Sequence, residues 1–434
     1  MKDRYVPRRT DAAIHVRHYD LQIDYRVGRN RLDATAKLDI KATSRLDRID
    51  LSFEGLRVSK VTVDGRKPAK WIQKAGSLSV KLPASLAKGD TCRLVVEYAG
   101  APGPRKGTWG EIGWEELDDG VIVAGQPDGA PSWFPCHDVP EDKSTYRIAV
   151  TVDSTHTAVS NGVLVERSVR RGRVTWVYEQ HEPMSTYLAT VQIGRYEPLV
   201  LAENPVPIRA WAPVRLRRRV LHDLDRQIAM MELFRKLFGP YPFAEYSVVV
   251  TDDDLEIPLE AQGLSVFGAN HMDGKHGSER LVAHELAHQW FGNSLTVGRW
   301  KDIWLHEGFA CYAEWIWAEA AGKATVDDHA AATHRRLSKL PQDLVIGDPG
   351  PKLMFDDRLY KRGALTLHAL RVALGDDAFF GAIRAWVVAN RYGVVSRESF
   401  VECVEFETGQ AIGGLLSKWL DRAKLPALDP ETRR

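Results

Sequence analysis

The chain has 434 residues, 44% of them hydrophobic and 27% charged, with 59 Lys and Arg against 58 Asp and Glu. That length predicts two or three domains with a core large enough to need no covalent staples, and a net charge of +1 gives no electrostatic reason to expect nucleic acid or a membrane as partner. The first residues are charged and lack the apolar core of a secretory signal, and no stretch approaches the roughly 18 apolar residues of a membrane-spanning helix. The four cysteines, Cys92, Cys136, Cys311 and Cys403, lie far apart with no CxxC pair. They read as buried thiols rather than a disulfide framework, and a cytoplasmic location is expected.

The first 200 or so residues read as β structure. Tyr19, Leu21, Ile23, Tyr25 and Val27 alternate with polar residues, the period-two pattern of a half-buried strand. Ala36, Leu38, Ile40 and Ala42 repeat it, as do Leu94, Val96 and Tyr98, and Asp64-Gly65 marks a hairpin turn. Tyr187, Ala189, Val191 and Ile193 read as one late strand. Short alternating runs divided by turn residues predict a mainly antiparallel sandwich or saddle.

The character changes after Tyr196. Glu203-Asn204-Pro205-Val206-Pro207 reads as a linker, so the boundary is placed near residue 205, giving domains 1–205 and 206–434. Val220, Leu224, Ile228, Met231, Phe234 and Phe238 fall at helical spacing and predict one long amphipathic helix, stopped by Gly239-Pro240. A short β-like run follows at 246–250, and from Glu279 onward the pattern is mostly helical.

Residues 284–288 read His-Glu-Leu-Ala-His. On a helix, positions i and i+4 share a face, so both imidazoles can reach one ion, while Glu285 can contact a water on it and act as general base. Leu281, Val282, Leu286, Ala287 and Trp290 supply the apolar surroundings of a buried helix, and Gly292-Asn293 ends it. Alone, this five-residue pattern also arises by chance on solvated helices. Glu307, separated from His288 by eighteen residues, supplies the support. Its flanks Trp304, Leu305, Phe309 and Trp315 are apolar, and a carboxylate there needs a partner. Two histidines and one carboxylate leave a fourth position open for water, as a catalytic zinc site requires.

These segments together resemble the aminopeptidase N family of gluzincin metallopeptidases, which includes leukotriene A4 hydrolase. The resemblance extends to Phe134-Pro135-Cys136, Asp138, Pro140, Lys143 and Tyr146; to His18-Tyr19-Asp20-Leu21; and to Gly239-Pro240-Tyr241-Pro242-Phe243. It also takes in Tyr360-Lys361-Arg362-Gly363-Ala364, Trp419-Leu420 and Leu425-Pro426, so it spans nearly the whole chain. It implies an α+β protein: an N-terminal saddle-shaped β domain, then a mainly helical thermolysin-like catalytic domain holding one zinc ion. Many relatives continue into a large C-terminal helical domain. This chain stops at Arg434, from which a less enclosed cleft is expected.

The resemblance implies further roles. Tyr360 would donate a hydrogen bond to the oxyanion of the tetrahedral intermediate. Glu260 would hold the free α-amine of a peptide substrate, although the family's Gly-x-Met-Glu-Asn is here Ile257-Pro258-Leu259-Glu260-Ala261. Gln126 would be a second amine-binding or specificity side chain. His306 stands where the family more often has asparagine and reads as a packing or supporting residue, and Glu314 could orient a ligand histidine. The expected function is an aminopeptidase acting on peptides with a free N-terminus. An endopeptidase, another zinc hydrolase such as an epoxide hydrolase, and a catalytically silent binding protein are the alternatives, the last opposed by the intact ligand set.

Overall fold

Strand alternation at the N-terminus matures into sheets whose apolar faces are buried. The computed structural model describes residues 4–6 and 13–428. Residues 13–220 and Phe243–Met272 group into one compact body; Leu221–Pro242 and residues 273–428 group into a second.

The first body is built on a seven-stranded sheet. In spatial order its strands are Val163–Arg170, Arg173–Met184, Ser144–Asp153, Ile14–Arg26, Arg31–Ala42, Thr91–Gly100 and Arg57–Val63. Every junction is antiparallel except that between Ile14–Arg26 and Ser144–Asp153, which is parallel. Tyr19 and Tyr146 face each other across it in register and stack with ring centres 4.9 Å apart. Phe134 meets Tyr19 edge-on at 5.5 Å, and the Tyr19 hydroxyl accepts from the His137 backbone N–H. Asp142, buried, accepts from Val16 N–H at 3.1 Å and contacts His137 Nδ1 at 2.5 Å. The cluster around residues 134–146 therefore clamps two strands distant in sequence. Asp64 and Gly65 both adopt left-handed φ, at 50° and 73°, which is what a two-residue hairpin turn demands.

A second sheet of this body runs Glu197–Ala202, Ile208–Ala212, Tyr246–Val250, Leu264–Phe267, Leu259–Ala261. The late strand expected over 187–193 is shorter: Thr186–Leu188 form a 3-10 turn and the strand is Val191–Gly194. The Ser185 hydroxyl donates to Pro140 O and Thr186 to Asp138, so side-chain bonds to a loop distant in sequence hold these residues out of the strand.

The long helix expected over 220–238 is two helices, α1 (Arg217–Asp223) and α2 (Gln227–Phe238). Asp223 is turned inward, accepting from the backbone N–H groups of Gly274 and His276, and the break at 224–226 accommodates it. The second body continues with α3 (Glu279–Ala287), α4 (Trp304–Ala320), α5 (Val326–Leu337), α6 (Asp357–Leu374), α7 (Asp376–Ala389), α8 (Arg397–Thr408) and α9 (Gly413–Leu420). Phe291, Phe309, Trp386 and Phe400 form its aromatic centre, with Phe291 and Phe309 stacked at 4.1 Å. The result is a β-rich N-terminal part followed by a helical part, as the resemblance implied. Among the described residues, no helix is long and apolar enough to cross a membrane.

Candidate metal centre

Helix α3 carries His284 and Glu285, and His288 caps its C-terminus. Its first turn is fixed by buried Glu279, which accepts from Arg226 at 2.9 Å, from the Trp317 indole at 3.0 Å and from Lys323. A carboxylate there also complements the helix N-terminus. At the other end Gly292 has φ of 127°, and a side chain would meet His288 Nδ1 at 3.2 Å. Glycine thus lets the chain reverse beside the second histidine, whose Nδ1 lies 3.0 Å from Phe291 O.

Glu307 enters from the first turn of α4. Its Oε2 lies 3.5 Å from Nε2 of His284 and 3.5 Å from Nε2 of His288, and all three residues are buried. One ligand atom from each lies within 4.8 Å of the others. The opposite nitrogen of each ring is engaged: His284 Nδ1 on Glu314 Oε1 at 2.7 Å, His288 Nδ1 on the Phe291 carbonyl. The acceptor at each Nδ1 fixes the ring so that Nε2 faces Glu307 and is the nitrogen a metal would take in exchange for its proton. Two imidazole nitrogens and a carboxylate oxygen converging in this way fit zinc.

The charges are balanced around that point. Burial opposes ionisation of Glu307, but His288 and His284 outweigh it and hold its carboxyl well below the usual range. Burial likewise opposes ionisation of Glu314, which His284, Lys361 and Arg280 bring down to about 2. For His284, burial favours the neutral ring, yet Glu307 and Glu314 raise it to about 9. Arg280 donates to Glu314 at 3.0 Å and Lys361 stands 3.6 Å from its other oxygen.

Tyr360, on α6, stacks on His284 with ring centres 6.2 Å apart. A glycine pair brings α6 that close. A Cβ on Gly363 would lie 2.8 Å from the Gly308 Cα, and one on Gly308 3.0 Å from the Gly363 backbone. Gly308 directly follows Glu307, so a single close helix crossing sets the positions of both Glu307 and Tyr360. Arg362 turns the other way and donates to the carbonyls of Trp419 at 2.8 Å and Ala423 at 2.7 Å, tying the Trp419-Leu420 segment to α6.

The structure thus gathers His284, His288 and Glu307, with Glu285 buried on the same helix and Tyr360 alongside. His306 is buried and its Nε2 accepts from the Val297 N–H, a packing role. Glu260 and Gln126 belong to the first body. Glu260 sits on the edge strand Leu259–Ala261 opposite Ser265, next to the turn made by Gly263 at φ 72°. Gln126 follows the strand Gly120–Ala124 in a loop held tight because Gly125 packs on Tyr187, where a Cβ would meet Tyr187 O at 2.3 Å. The Gly308–Gly363 contact, the Arg362 tie and the Lys361–Glu314 contact do not show in the sequence, where a glycine just after Glu307 and another three residues after Tyr360 are the available signal.

Comparison with known proteins places these features. The family model described as the peptidase M1 N-terminal domain matches residues 15–188, and that of the peptidase family M1 domain matches 222–419. Human endoplasmic reticulum aminopeptidase 1 is 27% identical over 412 residues, covering 86% of this chain and 44% of that protein. The leucyl aminopeptidase of Saccharolobus solfataricus is 24% identical, covering 95% of this chain and 54% of that protein. The chain therefore spans about half the length of the curated relatives it matches. Among solved structures, a mutant M1 zinc metallopeptidase from Deinococcus radiodurans bound to a Tyr-Ser-Ala substrate is 31% identical with a TM-score of 0.90, covering 98% of both chains.

Proposed function

Since the chain belongs to peptidase family M1, a family of zinc metallopeptidases, we propose that it is a zinc aminopeptidase removing N-terminal residues from peptides. One observation carries the reading: the Nε2 atoms of His284 and His288 converge on Glu307 while both Nδ1 atoms are held by acceptors. One tightly held zinc ion per chain would sit among these three side chains. When bound, zinc acidifies a water toward a pKa of about 7 and polarises the scissile carbonyl.

The remaining steps belong to the chain. Glu285 takes the proton of the attacking water and returns it to the leaving amine. The Tyr360 hydroxyl donates to the oxygen on which negative charge develops. Glu260 accepts from the substrate's ammonium group, with Gln126 as a second contact, so that only a terminal residue is cut. Both relatives named above are aminopeptidases, which supports this exopeptidase reading. We place the division of labour at residues 1–205 and 206–434, a boundary between the two family-model matches, and the protein in the cytoplasm, in keeping with four free cysteines.

The test is hydrolysis of aminoacyl fluorogenic amides with a free or an acetylated α-amine. Cleavage confined to the free amine supports the reading. Equal cleavage of both would make the chain an endopeptidase, and chelator-resistant cleavage would remove zinc from the chemistry.

A further inference from the structure

A second histidine–carboxylate cluster lies in the same body as the metal centre but uses none of its residues. His222, at the end of α1, and His276, in the loop before α3, hold their rings 4.2 Å apart at an angle of 43°. Asp223 lies 2.9 Å from His222 Nδ1, and one ligand atom from each of His222, Asp223 and His276 falls within 4.8 Å of the others. Asp225 Oδ1 lies 2.9 Å from His276 Nε2.

The cluster is held in place by backbone. Asp223 is 3% exposed, and its two oxygens accept from Gly274 N–H at 2.8 Å and His276 N–H at 3.0 Å. Asp273 fixes the same loop through Lys275 N–H at 2.7 Å. His276 itself has φ of 59°, in the left-handed region that few non-glycine residues occupy. The two imidazole rings stand beside a fixed carboxylate, an arrangement of nitrogen and oxygen donors that one cation can bridge. Two imidazoles with carboxylates favour zinc and its transition-metal neighbours over magnesium or calcium. His222, with 45% of its side chain exposed, has the freedom to close onto an ion.

We infer that His222, Asp223 and His276, with Asp225 orienting His276, form a second, peripheral divalent-cation site of zinc type. An ion there would join the segment Leu221–Arg226 to the loop that leads into α3, the helix of His284 and Glu285. The site is weaker than the metal centre because one of its ligands is half exposed.

The test is a zinc titration of the chelator-stripped full chain, read as bound zinc per chain at micromolar free zinc. Wild type should reach two, and the H222N/H276N variant should stop at one while keeping its peptidase activity. Asparagine tolerates the left-handed conformation at 276 and so spares the loop. The H288A variant should still bind one zinc, at the peripheral site. A double variant that still binds two, or a wild type that stops at one, overturns the inference. Carbethoxylation mapped by mass spectrometry on the wild type gives an independent reading: zinc should protect His222 and His276, and unchanged labelling overturns it.

Discussion

Replacing Glu314 by glutamine tests whether the metal centre depends on what stands behind its ligands. The Glu314 carboxylate accepts from His284 Nδ1 at 2.7 Å and is itself held by Arg280 and Lys361. A glutamine keeps the shape and an acceptor oxygen but loses the charge. Hydrogen bonds to charged groups contribute about 1.5–3 kcal/mol and neutral ones about 0.5–1.5. The difference, roughly 1–1.5 kcal/mol, is about tenfold in zinc affinity. Glu314→Ala removes the acceptor altogether and should lose up to about 100-fold. The sign depends on pH. In protein stripped of metal, Glu314 helps raise His284 to about 9, so zinc must displace a proton below that pH and affinity rises with pH. Removing the negative charge lowers the His284 pKa and eases that displacement, which opposes the loss at neutral pH. The loss should therefore be largest above pH 9 and shrink toward pH 7. The assay is competition between protein and a chelator of known affinity across that range. Unchanged zinc affinity above pH 9 in both variants would refute the reasoning.

Glu285→Gln should retain zinc, measured by metal analysis, and lose about 10²–10⁴ in kcat, because an amide cannot take the proton. Tyr360→Phe should lose about 10²–10³ in kcat with KM little changed. Gly363→Ala places a methyl 2.8 Å from the Gly308 Cα. The overpacking should cost about 1–3 kcal/mol in thermal or denaturant unfolding, with kcat falling as α6 shifts Tyr360.

The convergence of His284, His288 and Glu307 was legible because its information is local. The i, i+4 spacing of His284 and His288 fixes a shared face, and the apolar flanks of Glu307 announce a buried carboxylate in want of a partner. Glu314 was reachable for the same reason, since it lies two turns along the helix that begins with Glu307. Strand positions such as Tyr19–Tyr25 and Ala36–Ala42 followed from alternation. What alternation cannot carry is partnership: nothing in either strand says that Ile14–Arg26 pairs in parallel with Ser144–Asp153. The two errors of continuity have tertiary causes. Leu224 continues an apolar stripe, but Asp223 is drawn inward by the Gly274 and His276 backbone and divides the helix. The strand expected from Tyr187 starts late because Ser185 and Thr186 are bonded to residues some forty-five positions away. Nor does the segment around Tyr360 say that the guanidinium of Arg362 is buried and gathers the carbonyls of a segment distant in sequence.

The most direct test of the central claim is the zinc content of chains dialysed to remove weakly held metal, for wild type and His288→Ala, paired with hydrolysis of a free-amine aminoacyl amide. Wild type should keep one zinc and cleave the amide, and His288→Ala should keep none and be inactive. A His288→Ala chain that retains full zinc and full activity would show that the metal and the chemistry lie elsewhere.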